Sequence, residues 1–236
     1  MTGDMTITII LGALKVLAFV PAIVIHECAH GFAAAKLGDP TARNAGRLSL
    51  NPLRHVDPFG TVLLPGLLIL SGAGFVFGYA KPVPYNPRYF KDVRKGEVIV
   101  GLAGPASNLL MSLAGAAIAW GSMQLFGLSQ ELALYTWYFG CYFCSVNLCL
   151  AFFNLLPIPP LDGSHALNLA VSALFGPLVG DAVAALAGVL CSLALLGGGV
   201  YLYVQTRGGA LVIFAALALL LSALKELRLA RRAIKV

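Results

Sequence analysis

Charge is what this sequence has least of. Asp, Glu, Lys and Arg make up 11% of its 236 residues, against 59% hydrophobic residues, a balance that soluble globular domains do not keep. Several apolar stretches reach the roughly 20 residues that a bilayer crossing needs. They leave no room for a separate soluble domain of ordinary size, and predict one membrane-embedded domain over 1–236. A secretory leader is not expected either: Met1–Met5 carries no basic region, and no small-residue cleavage motif precedes the first polar cluster, so the first span reads as retained. So is a disulfide framework. The five cysteines are an odd number and sit in or beside apolar segments. The one C-x-x-C, Cys141–Cys144, has no second pair to complete a metal site, so these thiols read as small packing residues. There is no internal repeat. The net charge of +6 would suggest nucleic acid in a soluble domain; here it reads as cytoplasmic loops facing anionic headgroups, with no nucleic acid partner.

What is present is an all-α polytopic membrane pattern. A first helix is expected over about Met5–Gly38, further spans over Gly96–Phe126 and Glu131–Leu156, a short helix over Ser164–Phe175, and C-terminal spans over Leu178–Val204 and Ala210–Leu224. A basic tail covers 225–236. Three prolines in the stretch Leu155–Gly163 stop the third span. Thr41–Pro52 alternates after a turn and predicts a small membrane-associated β-hairpin. Lysines and arginines crowd both sides of Pro58–Phe77, which would put both its ends in the cytoplasm and make it a re-entrant segment broken at Pro65-Gly66 and Gly72–Gly74; a plain transmembrane helix is the alternative. The same rule places the C-terminus in the cytoplasm.

One polar cluster interrupts the first span, the sequence HECAH over His26–His30. Ionisable groups are costly in hydrocarbon and need a compensating use. On a helix, His26 and His30 lie roughly 40° apart around the axis, so both imidazoles can reach one Zn²⁺. Glu27, about 100° round from His26, can reach a zinc-bound water without being a ligand. A hydrogen-bonded interhelical network is the plain structural alternative. A catalytic zinc usually has three protein ligands. Asp162, just past the proline-rich stop and followed by Gly163, is the candidate third; His165 competes with it, and a helix N-cap is the plain role for Asp162. Asn108, in the stretch Gly101–Asn108 with Gly101, Gly104 and Pro105, could present an amide to a substrate carbonyl or serve as a helix contact. His55 reads as a structural histidine bonded to Asp57 or to backbone, with a catalytic role as the alternative.

HECAH at 26–30, GPASN at 104–108 and NLLPIPPLDG at 154–163, in that order on three spans, together resemble the site-2 protease family of intramembrane zinc metalloproteases, in its compact prokaryotic branch. The stretch Asn51–Thr61 is similar to a loop of that branch. The resemblance covers most of Ile23–His165; the region after Gly176 matches no motif. It implies one Zn²⁺ per chain on His26, His30 and Asp162, with Glu27 as general base, and cleavage of single-span membrane proteins within the bilayer.

Depth is consistent with that. His30 stands roughly 12 Å from the helix end near Gly38, and Lys95 roughly 20 Å from Asn108, so the site is expected in the cytoplasmic half of the membrane. A metal-ion or proton transporter using the His/Asp cluster as a transit site is the alternative from another class. It would be expected to show inverted repeats or paired broken helices, and it leaves Glu27 without a role.

Overall fold

The computed structural model describes residues 2–63, 80–206 and 209–234. Among the described residues there are six long or medium helices: α1 (Thr2–Lys36), α2 (Val93–Gly121), α3 (Gln130–Asn154), α4 (Asp162–Phe175), α5 (Pro177–Thr206) and α6 (Ala210–Ile234). Four stretches of helix, Met5–Lys36, Val93–Leu125, Gln130–Asn154 and Pro177–Thr206, are long and apolar enough to cross a membrane, which makes this an integral membrane protein. The exposed Leu, Val, Ile and Phe side chains along them are what lipid-facing helices require.

The described residues form two compact units. The first contains residues 2–56, 80–86 and 103–152. Its α1 ends at Gly38, whose φ of 100° is open to glycine without strain; there the Gly38 and Asp39 amides donate to the Ala35 and Ala34 carbonyls. Within this unit α2 packs on α3 through small residues. A Cβ on Gly115 would lie 2.5 Å from the Cys144 backbone nitrogen, and one on Gly140 would lie 2.5 Å from that of Ala119. Only glycine allows the two backbones to approach so closely, which is how membrane helices associate without a hydrophobic drive between them. One turn along, the Ser112 hydroxyl and Cys144 thiol are 3.3 Å apart; a turn further, Asn108 meets Asn147. The seam therefore runs antiparallel through Asn108, Ser112 and Gly115 against Asn147, Cys144 and Gly140.

The second unit contains residues 57–63, 87–102, 153–206 and 209–234. Here α4 begins directly after the proline-rich stretch. Gly163 lies against the Leu155 and Leu156 carbonyls; a Cβ there would fall 2.6 Å from the Leu156 oxygen. The α4–α5 turn is tied by Asn168, which donates to Asp181 at 2.6 Å and accepts from the Ser172 hydroxyl at 2.9 Å. Gly188 on α5 faces Pro159 and Ala223.

One sequence expectation changes. No strand occurs among the described residues, so the hairpin over Thr41–Pro52 is replaced by a one-turn helix, Thr41–Asn44, followed by irregular chain. The cause lies just upstream: the Asp39 carboxylate accepts from both the Thr41 amide and its hydroxyl, which starts a turn, and Gly46 at φ 63° ends it. Helix α6 runs on through the basic residues that follow Leu224, to Ile234. Of the proposed re-entrant segment Pro58–Phe77, residues 64–77 lie outside the described residues; Pro58–Leu63 is a short π-helical turn.

Candidate metal centre

The first unit builds the centre of the polar cluster. His26 and His30 are both buried and lie one turn apart on α1, with rings edge-on at 84°. Their Nε2 atoms are 3.2 Å apart. Two bare imidazole nitrogens at that distance repel, so the pair must share a proton or a cation. Two nitrogens each 2.0–2.1 Å from a tetrahedral zinc would lie about 3.3 Å apart, so the spacing fits a zinc ion. The space in front of the rings is kept by Gly104 of α2. A Cβ there would fall 2.6 Å from both the His26 and the His30 Cε1 atoms, and closer still to His30 Nε2.

Glu27 is half-buried and one of its oxygens is held. The Val83 amide donates to Glu27 Oε2 at 3.0 Å. Val83 stands between two prolines, which bias this segment to an extended form and leave it as the one residue of the three with an N–H to give. The segment itself is anchored on the rest of the unit. Lys81 donates to the His55 carbonyl at 2.9 Å, Arg47 donates to the Lys81 carbonyl at 2.6 Å, and the Asn86 amide donates to Asp39 at 2.6 Å. Gly31 leaves room for it, since a Cβ there would lie 2.7 Å from Val83 Cγ1. Asp39 is buried. Burial works against its charge, but the hydrogen bonds from the Thr41 hydroxyl, the Asn86 amide and the Thr41 amide outweigh it and hold the carboxyl below its ordinary pKa.

Asn108 is fully buried beside the first histidine, its Oδ1 2.5 Å from His26 Nδ1. Its amide nitrogen donates to the Ala22 carbonyl at 3.3 Å and to Asn147 Oδ1 at 2.7 Å. The amide that the sequence offered to a substrate carbonyl is therefore already engaged, because the α2–α3 seam turns it inward. Asn147 was missed in the sequence. Its signal was an amide in the interior of an otherwise apolar span, which needs a partner on a neighbouring helix.

His55 donates through Nε2 to the Ser49 carbonyl at 2.7 Å, so it bonds backbone. In the second unit, Asp162 is half-buried and is the first residue of α4, after an extended Leu161. A carboxylate there is favoured by the helix dipole, but Leu161, not Asp162, occupies the N-cap position. His165 lines a cavity of about 430 Å³ in the same unit, together with Asn168, Asp181 and Glu226.

The chain is similar to several known proteins. Residues 122–197 match Peptidase family M50. The chain is 41% identical over 150 residues to the Bacillus subtilis protein named "Putative zinc metalloprotease YwhC", covering 63% of this chain and 64% of that one. It is 31% identical over 167 residues to "Putative zinc metalloprotease Rip2" of Mycolicibacterium smegmatis, covering 66% and 56%. The chain thus spans less than two thirds of these relatives' length. In fold it is similar to the site-2 protease from Methanocaldococcus jannaschii, with a TM-score of 0.50 and 21% identity over 95% of this chain and 87% of that one.

Proposed function

We propose that the chain, whose residues 122–197 match Peptidase family M50 and whose fold is similar to that of a site-2 protease, is an intramembrane zinc endopeptidase that cleaves single-span membrane proteins. The observation that carries this reading is the buried His26–His30 pair, with Nε2 atoms 3.2 Å apart, next to a Glu27 carboxylate fixed by the Val83 amide. One zinc per chain is assigned to His26 and His30, with Asp162 as third ligand. The support for Asp162 is its motif and its place at the start of α4, and the similarity to proteins named as zinc metalloproteases supports the metal.

A zinc ion so held supplies Lewis-acid chemistry that brings the pKa of a water toward about 7. The chain's own part is proton handling. Glu27, with Oε2 tied to Val83, takes the proton of the attacking water on Oε1 and delivers it to the leaving amine as the peptide bond breaks. A helical substrate hides its carbonyls in its own hydrogen bonds and must unwind locally to be attacked. The lysines and arginines flanking the spans support a site in the cytoplasmic half of the bilayer and a cytoplasmic C-terminus.

The test pairs metal content with cleavage, in wild type and Glu27→Gln, on a panel of single-span peptides in detergent. Glu27→Gln is expected to keep one zinc per chain and to lose cleavage by about 10²–10⁴-fold. Zinc in both proteins with cleavage undiminished in Glu27→Gln would remove Glu27 as the base. Zinc-dependent ion flux in reconstituted vesicles with no cleavage would replace the protease by a transporter.

A further inference from the structure

We infer that Asn147 and Asn108 form a relay that sets the tautomer of His26, so that Asn108 is a positioning residue for the metal centre and not a donor to substrate. This rests on the reading of His26 as a metal ligand.

Two backbone carbonyls, which can only accept, set the orientation of the pair. Asn147 lies 2.8 Å from the Phe143 carbonyl, so the atom facing that carbonyl must be the Asn147 NH₂ group. Its other amide atom, Oδ1, then faces Asn108 as an acceptor. Asn108 lies against that oxygen at 2.7 Å and against the Ala22 carbonyl at 3.3 Å, and two acceptors require its NH₂ group on that side. Its Oδ1 is thereby turned to His26, 2.5 Å away. An amide oxygen also only accepts, so His26 must carry its proton on Nδ1. A neutral imidazole protonated on Nδ1 has a bare lone pair on Nε2, the atom that faces His30. Each amide orientation is fixed by the acceptor next to it.

The relay also explains its burial. Asn108 and Asn147 are both 0% exposed, and both N–H bonds of Asn108 are taken, by the Ala22 carbonyl and by Asn147 Oδ1. Metal-bound histidines commonly donate their second nitrogen to a fixed acceptor, which orients the ring and sets its tautomer. Here that acceptor is an amide whose own orientation is decided on α3, by the in-register seam of Gly115 with Gly140 and Ser112 with Cys144.

The test uses the full chain in detergent with ¹⁵N-labelled histidine, read first without metal and then titrated with zinc. Wild type is expected to show His26 with Nδ1 protonated and Nε2 bare. Asn147→Ala frees Asn108 to flip; it is expected to give a mixture of His26 tautomers and about a tenfold loss in zinc affinity. Asn108→Leu should lose 10–100-fold. If Asn147→Ala and Asn108→Leu, shown folded by circular dichroism, keep the wild-type tautomer and zinc affinity, the relay is refuted. Wild type that takes up no zinc would instead remove the metal reading, and the tautomer spectra would still decide the relay.

Discussion

Gly104→Ala isolates the metal pocket from the fold. A methyl at this position would sit 2.6 Å from Cε1 of both His26 and His30, where ordinary carbon contact begins near 3.4 Å. The rings must therefore retreat by about 0.8 Å, or α2 must move away from α1. His26 cannot turn freely, because its Nδ1 is tied to Asn108 at 2.5 Å. Zinc coordination tolerates deviations of about 0.2 Å, so a shift of that size breaks it. Zinc affinity is expected to fall at least 100-fold, about 2.7 kcal/mol, and cleavage with it. Stability should change little. Alanine gains about 0.5–1 kcal/mol over glycine inside a helix, overpacking costs about 1–3 kcal/mol, and the two partly cancel. Gly12→Ala is the control, since a Cβ there meets nothing within 4 Å; it should match wild type or be slightly more stable. Zinc competition with a chelator, alongside thermal unfolding of the metal-free proteins, separates the effects. A Gly104→Ala protein that binds zinc as wild type does would refute the claim that Gly104 keeps the pocket open.

Two further perturbations probe the segment that holds Glu27. Val83→Pro deletes the single amide that donates to Oε2 while keeping an extended backbone. Hydrogen bonds to charged groups contribute about 1.5–3 kcal/mol, so kcat should fall about 10–100-fold with zinc content unchanged; an unaltered kcat would remove Val83 from the site. Asp39 anchors the far end of the same segment through Asn86, and its folded pKa lies below the ordinary carboxylate value. A depressed pKa contributes stability that is present above the unfolded pKa, near 4, and is lost as pH falls below it. Thermal unfolding between pH 3 and 6 should therefore show an acid-side loss in wild type that is smaller in Asp39→Asn, with equal acid slopes counting against the assignment.

The sequence made the helices legible because their signal is simple. Apolar runs of bilayer length, stopped by Gly38 or by the prolines after Leu156, mark α1, α2, α3 and α5 to within a few residues. His26, Glu27 and His30 were legible for a related reason: ionisable groups in an apolar helix, at a spacing that puts two of them on one face. The Thr41–Pro52 alternation misled because period-2 patterning over a few residues is weak, whereas the Asp39 side chain bonds Thr41 directly and starts a helical turn. Asn108 was legible as a polar residue near the site but not in its role. Its orientation is set by Asn147, 39 residues on, and a sequence carries no register between helices until their small residues are matched.

That matching has a consequence for how the centre is held. Lipid does not drive helices together as water does, so α2 and α3 associate through backbone approach at Gly115 and Gly140 and through buried polar contacts. Those polar contacts are Ser112 with Cys144 and Asn108 with Asn147, and the last of them is the one that turns the Asn108 oxygen toward His26. Helix association and histidine orientation thus rest on the same seam. A change at Gly115 or Gly140 far from the metal would shift the register at Asn108, so loss of zinc affinity should extend along the seam and not stop at residues that touch the imidazoles.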